Sequence, residues 1–284
     1  MHKLSSHLIS DNNENDDSCR TNCIFDHYPV SLPSTSNKQY EFISSKWVSC
    51  TADYGGGIYL TAGTTVSLFV TKGEFYSCKA APYRGGGIYV GRIGKLEVTT
   101  SLFSGCVAEA KADCGGGGID LNGAQAFPYI KCSSFISCTS GNDGGGLAIW
   151  SSPSFQKICL TDSRFVGCKG LANPGTDGGS LIVWASEAAI GSSNTLFVDS
   201  HSEWSGGAAS YNITRSHNST IPLFSFCFFK NNSARYNPGN DVFFAEWSPT
   251  QPFHHCFSLT ATNRVYDNKN SATHNNDCLP QCCK

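Results

Sequence analysis

The 284-residue sequence predicts an all-β chain wound as a parallel β-solenoid of about seven to eight coils, roughly 30 residues per coil. Three observations predict it. A glycine box recurs as Gly55-Gly56-Gly57-Ile58, Gly85-Gly86-Gly87-Ile88, Gly115 to Gly118 before Ile119, and Gly144-Gly145-Gly146-Leu147. It weakens to Gly178-Gly179-Ser180-Leu181 and Gly206-Gly207-Ala208, and ends as Gly239-Asn240-Asp241-Val242. On the same beat runs an aromatic, two residues, then Cys: Trp47 to Cys50, Phe75 to Cys78, Phe103 to Cys106, Phe135 to Cys138 and Phe165 to Cys168. Later copies end in Ser200, Asn232 and Asn268. Finally, one Met and abundant Gly, Ser, Thr, Asn and aromatics disfavour helix.

Each coil carries three short apolar stretches. The first follows the glycines, as Ile58-Tyr59-Leu60, with two side chains inward and one outward. The second lies seven and five residues before the aromatic, as Leu68/Val70, Leu96/Val98 and Ile158/Leu160. The aromatic box is the third. Strands this short need a neighbour, and coils about 4.8 Å apart stack like on like. Glycine pairs suit a tight bend or a close backbone approach. A propeller blade needs about 40–50 residues, and a sandwich keeps no such beat.

The two boxes resemble the Gly-Gly-x-Ile and Phe-x-x-Asn repeats of chlamydial polymorphic outer-membrane proteins, and are similar to surface proteins of parasitic protists. Phe229-Lys230-Asn231-Asn232 has the family form outright; the other copies are mostly Phe-x-x-Cys. The resemblance spans about residues 42 to 268. It implies a right-handed parallel β-helix used in adhesion or surface display. The family's transporter barrel and secretion signal have no counterpart in this sequence.

Residues 1–40 read as a polar lead and cap, 41–247 as the repeats, and 248–284 as the last coil and a Cys-rich cap. Of fifteen cysteines, Cys50, Cys78, Cys106, Cys138 and Cys168 share one column and read as stacked small hydrophobes. Single cysteines about 30 residues apart lack metal-ligand spacing, so neither metal nor cofactor is expected. Cys19 with Cys23, and Cys278 with Cys282 and Cys283, suit disulfide staples in the caps. Caps at both ends favour a monomer.

Charge at 15% of residues, net −2 and a pI near 6.4 exclude a basic nucleic-acid face. No apolar run approaches the roughly 20 residues of a membrane helix. Catalytic signatures such as Gly-x-Ser-x-Gly, a phosphate loop or His-Glu-x-x-His are absent. Polysaccharide lyases and hydrolases also use parallel β-helices, and such chemistry needs convergent carboxylates. Asp53, Asp113, Asp143, Asp177 and Glu203 precede the glycines at unequal offsets of 3, 4, 2, 1 and 3, so they read as turn formers and no catalytic residue is assigned.

The binding expectation rests on outward slots. Tyr59, Tyr89 and Asp120 follow the inward Ile, with Trp150 further along; allowing one inserted residue, Trp184 and Tyr211 continue from Trp150 as an aromatic stripe. A stripe of this kind suits sugar rings or a protein surface. Asn212, Asn218 and Asn231 open glycosylation sequons and tip the location toward the exterior, while Met1 to Ser10 lacks an apolar signal core. The chain then reads as a fragment of a longer surface protein, or as an intracellular one with reduced thiols. The leading expectation is a non-enzymatic adhesive or interaction protein; the rivals are a carbohydrate-active enzyme and a passive spacer.

Overall fold

The computed structural model describes residues 3–4, 21–32, 37–61, 65–109, 115–123, 127–150, 156–171, 177–185, 188–213, 223–225, 227–235, 241–246, 254–255, 265–267 and 273–274. Every regular element among them is a β-strand, and the strands pair in parallel. Each coil visits four sheets in turn. In one coil these are Ile58–Thr61 in the glycine-box sheet, Ser67–Thr71 in a second long sheet, Glu74–Tyr76 in the aromatic sheet and Lys79–Ala80 in a short sheet. The chain is a parallel β-solenoid.

The regular part, Ile58 to Ser202, makes about five turns of roughly 30 residues, slightly fewer than the seven to eight expected. Flanking strands extend two sheets to nine strands and two to seven. Paired strands begin before residue 41: Ile24–Asp26 and Val30–Leu32 join the aromatic and glycine-box sheets. At the other end Val265–Asp267 pairs beyond Val242–Glu246, inside the segment read as last coil and cap. Cys23 is disulfide-bonded, and its partner lies outside the described residues.

The core is a set of ladders. Phe25, Trp47, Phe75, Phe103, Phe135, Phe165, Phe197 and Phe229 stack ring on ring, with centroids 4.3 to 5.1 Å apart. Parallel in-register pairing sets that spacing, since it puts equivalent residues one coil apart. The glycine box serves this stack. A Cβ on Gly57, Gly87, Gly118 or Gly146 would fall 2.7–2.8 Å from the ring of Phe75, Phe103, Phe135 or Phe165. A Cβ on the preceding Gly56, Gly86, Gly117 or Gly145 would fall 2.4–2.6 Å from the next coil's glycine carbonyl. The two recurring boxes are therefore two sides of one contact.

Corners use the left-handed backbone region. Ser49, Ser77, Gly105, Ser137, Gly167, Asp199 and Asn231, each one residue past the strand of the aromatic box, have φ between 50° and 63°. Small or Asx-type residues tolerate that conformation best. Directly after them, the five column cysteines turn inward and are fully buried. Each thiol donates to the carbonyl of the aromatic one coil earlier, as Cys138 Sγ to Phe103 O at 3.5 Å and Cys168 Sγ to Phe135 O at 3.5 Å. A buried serine ladder at the other corner went unremarked in the sequence: the amides of Gly73, Ser101 and Ser133 donate to the hydroxyls of Ser101, Ser133 and Ser163.

Candidate functional site

The outer face of the glycine-box sheet holds the sequence's binding candidates. Its strands point residues one and three inward, and residues two and four outward. The second positions form the column Tyr59, Tyr89, Asp120, Ala148, Ile182 and Ser210. The fourth positions form Thr61, Gly91, Asn122, Trp150, Trp184 and Asn212.

Outward does not mean open. Box turns fold back over the second column, in five coils at a positive-φ glycine (Gly55, Gly85, Gly144, Gly178 and Gly206), where a Cβ would meet Tyr89 Cα at 2.8 Å (Gly85) or Ser210 Cβ at 3.1 Å (Gly206). Tyr89, Asp120, Ala148, Ile182 and Ser210 are consequently buried beneath this roof. Tyr54 lies against Tyr83, Tyr59 and Tyr89, with ring centroids 4.4, 6.0 and 5.0 Å away. Asp120 is fully buried, and among the described residues neither carboxylate oxygen has a hydrogen-bond partner of good geometry. Burial pushes it up to about 7, while the Arg84 charge and the Gly116 backbone pull only partly the other way.

The expected aromatic stripe divides. Trp150 and Trp184 are register partners on adjacent coils. Tyr211 is not in their column: it pairs with Val183 at the third position and is fully buried in the core. The structure shows no extra residue between box and strand in this coil, since Gly144 to Trp150 pair one to one with Gly178 to Trp184. Gly145 N bonds Gly179 O and Gly146 N bonds Ser180 O, both at 2.9 Å, so the box in that coil is Gly179-Ser180 rather than Gly178-Gly179.

The same one-residue shift corrects the carboxylate offsets. Asp143 and Asp177 occupy equivalent positions on adjacent coils, followed by Ser205. Asp143 Oδ1 accepts the Asp177 backbone amide at 2.7 Å. Asp177 Oδ1 accepts the Ser205 hydroxyl, and its Oδ2 accepts Asn212 Nδ2 at 3.3 Å. Burial raises the Asp177 carboxyl above its ordinary range against those hydrogen bonds. Both acids thus tie one turn to the next. Glu203 differs: it is held by Arg235 at 3.0 Å and His201 at 3.3 Å, which lower it.

Trp150 and Trp184 stack with centroids 4.9 Å apart and planes 21° apart. That separation is about one coil rise, so the ring normals run along the solenoid axis and each ring covers one face of the other. The pair presents edges outward. Trp150 is half-buried and its indole N–H is enclosed without a partner among the described residues, whereas Trp184 is 40% exposed. The face of Trp184 turned away from Trp150 looks toward Asn212, one coil on.

Of the sequons, Asn212 is 8% exposed with its amide directed at Asp177, a poor place for a glycan. Asn231 is exposed at a corner, and Asn218 lies outside the described residues. Among the described residues no group of three or more His, Cys, Asp or Glu side chains could hold a metal ion. Among the described residues there is no helix long and apolar enough to cross a membrane. No protein-family model matches the chain, and neither curated proteins nor solved structures give a match.

Proposed function

We propose that this solenoid is a non-enzymatic surface or secreted binding protein, which displays the outer face of its glycine-box sheet to carbohydrate on a host or neighbouring cell. The carrying observation is the Trp150–Trp184 pair, a stack of a half-buried and an exposed indole flanked in its own column by Asn122 and Asn212. Aromatic rings beside amide groups suit a ligand with apolar ring faces and many hydroxyls. The disulfide at Cys23 and the exposed sequon at Asn231 favour an oxidising, exterior location. Resemblance of the two boxes to surface-protein repeats points the same way. Asp143 and Asp177, the acids now aligned, support the non-enzymatic reading because both are engaged as turn acceptors.

Affinity electrophoresis through gels carrying neutral or acidic polysaccharides tests this. Retarded migration without shortening of the polymer is expected, and loss of retardation in Trp150→Ala/Trp184→Ala. Shortened polymer would overturn the proposal in favour of a carbohydrate-active enzyme. Unretarded migration in every gel would overturn the carbohydrate ligand and leave a protein partner or a passive spacer.

A further inference from the structure

We infer that Trp184, Asn212 and Asp177 form a single subsite for one neutral pyranose, so that the protein takes a terminal or branch sugar rather than a polymer lying along its coils. The inference rests on the carbohydrate reading above and narrows it.

The stack itself limits where a sugar can go. The space between the Trp150 and Trp184 rings is closed at 4.9 Å. Lying flat across both indoles is also excluded, because their planes stand across the solenoid axis and only their edges face out. One indole face remains, the side of Trp184 turned toward the next coil. In that column the next residue is Asn212, not a third aromatic. A pyranose placed there would continue the ladder as its third ring, one face against the indole and its rim toward the sheet.

That rim meets polar atoms already fixed in place. Asn212 gives one amide hydrogen to Asp177 Oδ2, while its carbonyl oxygen and second amide hydrogen make no hydrogen bond among the described residues. Asp177 is anchored in turn by Ser205, and its own backbone amide is held by Asp143 Oδ1. Each Asp177 oxygen takes one donor from the protein and keeps acceptor capacity. A donor–acceptor amide beside a fixed carboxylate matches vicinal hydroxyls, which both give and accept. It selects against uronates, whose carboxylate would lie beside that of Asp177 with no cation among these three residues to offset it.

Tryptophan fluorescence titration of the full chain with methyl glucoside, galactoside, mannoside and N-acetylglucosaminide, against glucuronate and galacturonate, is the test. A saturable signal with at least one neutral glycoside, roughly tenfold weaker with its uronate, is expected. Trp184→Ala, at an exposed position, abolishes binding with the fold retained and only a small drop in melting temperature. Asn212→Ala weakens it at least tenfold, and Asn212→Gln restores part. Polysaccharide retardation that monosaccharides do not compete, or that survives Trp184→Ala, would overturn the subsite and leave the broader carbohydrate reading intact. Uronate binding as tight as the neutral sugar would also overturn it. Absence of retardation by any polysaccharide would instead remove the reading on which the subsite rests.

Discussion

Asn232 donates its side-chain amide to the carbonyl of Phe197 at 3.0 Å, which is the bond that each column cysteine makes with its thiol in the earlier coils. The position asks for an inward donor small enough to turn a corner, and Cys and Asn both supply one. Asn232 does more than the thiols: its Oδ1 accepts the Ser200 amide, and its Nδ2 also reaches Asp241 Oδ1, both at 3.0 Å. Asn232→Ala leaves several buried groups without this partner and should cost about 2–4 kcal/mol. Cys106→Ser keeps a donor and should cost about 1 kcal/mol. Urea unfolding of the two variants checks the ranking; equal midpoints would refute it.

Gly146 and Phe165 make the contact that joins the two repeated boxes. A methyl group on Gly146 would sit 2.7 Å from Phe165 Cδ1 and 2.8 Å from the Ser180 carbonyl. Neither neighbour can retreat, since Phe165 is stacked between Phe135 and Phe197 and Ser180 O accepts the amides of Gly146 and Leu147. Gly146→Ala should destabilise by about 1–3 kcal/mol, the usual cost of overpacking. Gly167→Ala, where an added Cβ meets only Ser137 Oγ at 3.6 Å, should suffer mainly from its φ of 63° and cost about 1 kcal/mol. Thermal melts of the pair decide whether close packing or backbone angle dominates.

The solenoid was legible because its cause is periodic: one coil's contacts repeat in the next, so Gly57 with Phe75 and Gly146 with Phe165 leave the same trace. The binding face was only half legible. Alternation correctly sets Trp150 and Trp184 outward in one column, yet it says nothing of the turns that roof Tyr89 and Asp120. Nor does it say which two residues of the box anchor the count. Gly178-Gly179 looks like the box, but the second box residue has to meet the stacked ring, and Ser180 fills that place. Taking Gly178-Gly179 as the box hid the alignment of Asp143 with Asp177, and taking Gly206-Gly207 in the next coil, where Gly207-Ala208 stand opposite Gly179-Ser180, moved Tyr211 from the core to the surface.

Asp120 gives the fold a signed pH dependence. Its carboxyl is pushed up to about 7 from an ordinary 3.8. Between those values the folded chain holds a proton that the unfolded chain releases, so stability falls as pH rises through this window. At about 1.4 kcal/mol per pH unit the total is about 4 kcal/mol. Asp120→Asn never ionises and should lose this part of the dependence. Melting temperatures at pH 4.5 and 8 should therefore diverge more in the wild type than in Asp120→Asn, and identical pH profiles would show that the carboxylate finds a partner when it ionises.

The thiols should separate by accessibility. Cys132 is exposed, whereas Cys50, Cys78, Cys106, Cys138 and Cys168 are buried, and burial pushes the Cys106 and Cys168 thiols up, away from the reactive thiolate. Iodoacetamide applied to the native protein should mark the Cys132 peptide and leave the five column cysteines unmarked until urea is added. Peptide mass mapping reads each site separately. Labelling of Cys106 as fast as Cys132, with the β circular dichroism unchanged, would mean that the ladder opens without global unfolding.

Trp184 and Tyr211 test the register directly, because the two were expected in one exposed column and the structure puts them on opposite faces of the sheet. Tyr211 lies at an inward position beside Val183 and is fully enclosed, so Tyr211→Ala opens a large cavity. By analogy with other buried aromatics it should cost about 3–5 kcal/mol. Trp184 is 40% exposed and stacked on one side only, so Trp184→Ala loses one aromatic pair and part of its burial, about 1 kcal/mol. The binding effects should run the other way, with loss of polysaccharide retardation for Trp184→Ala and retention for folded Tyr211→Phe. Were Tyr211→Ala as stable as Trp184→Ala, the coil would carry the register that places both rings outside.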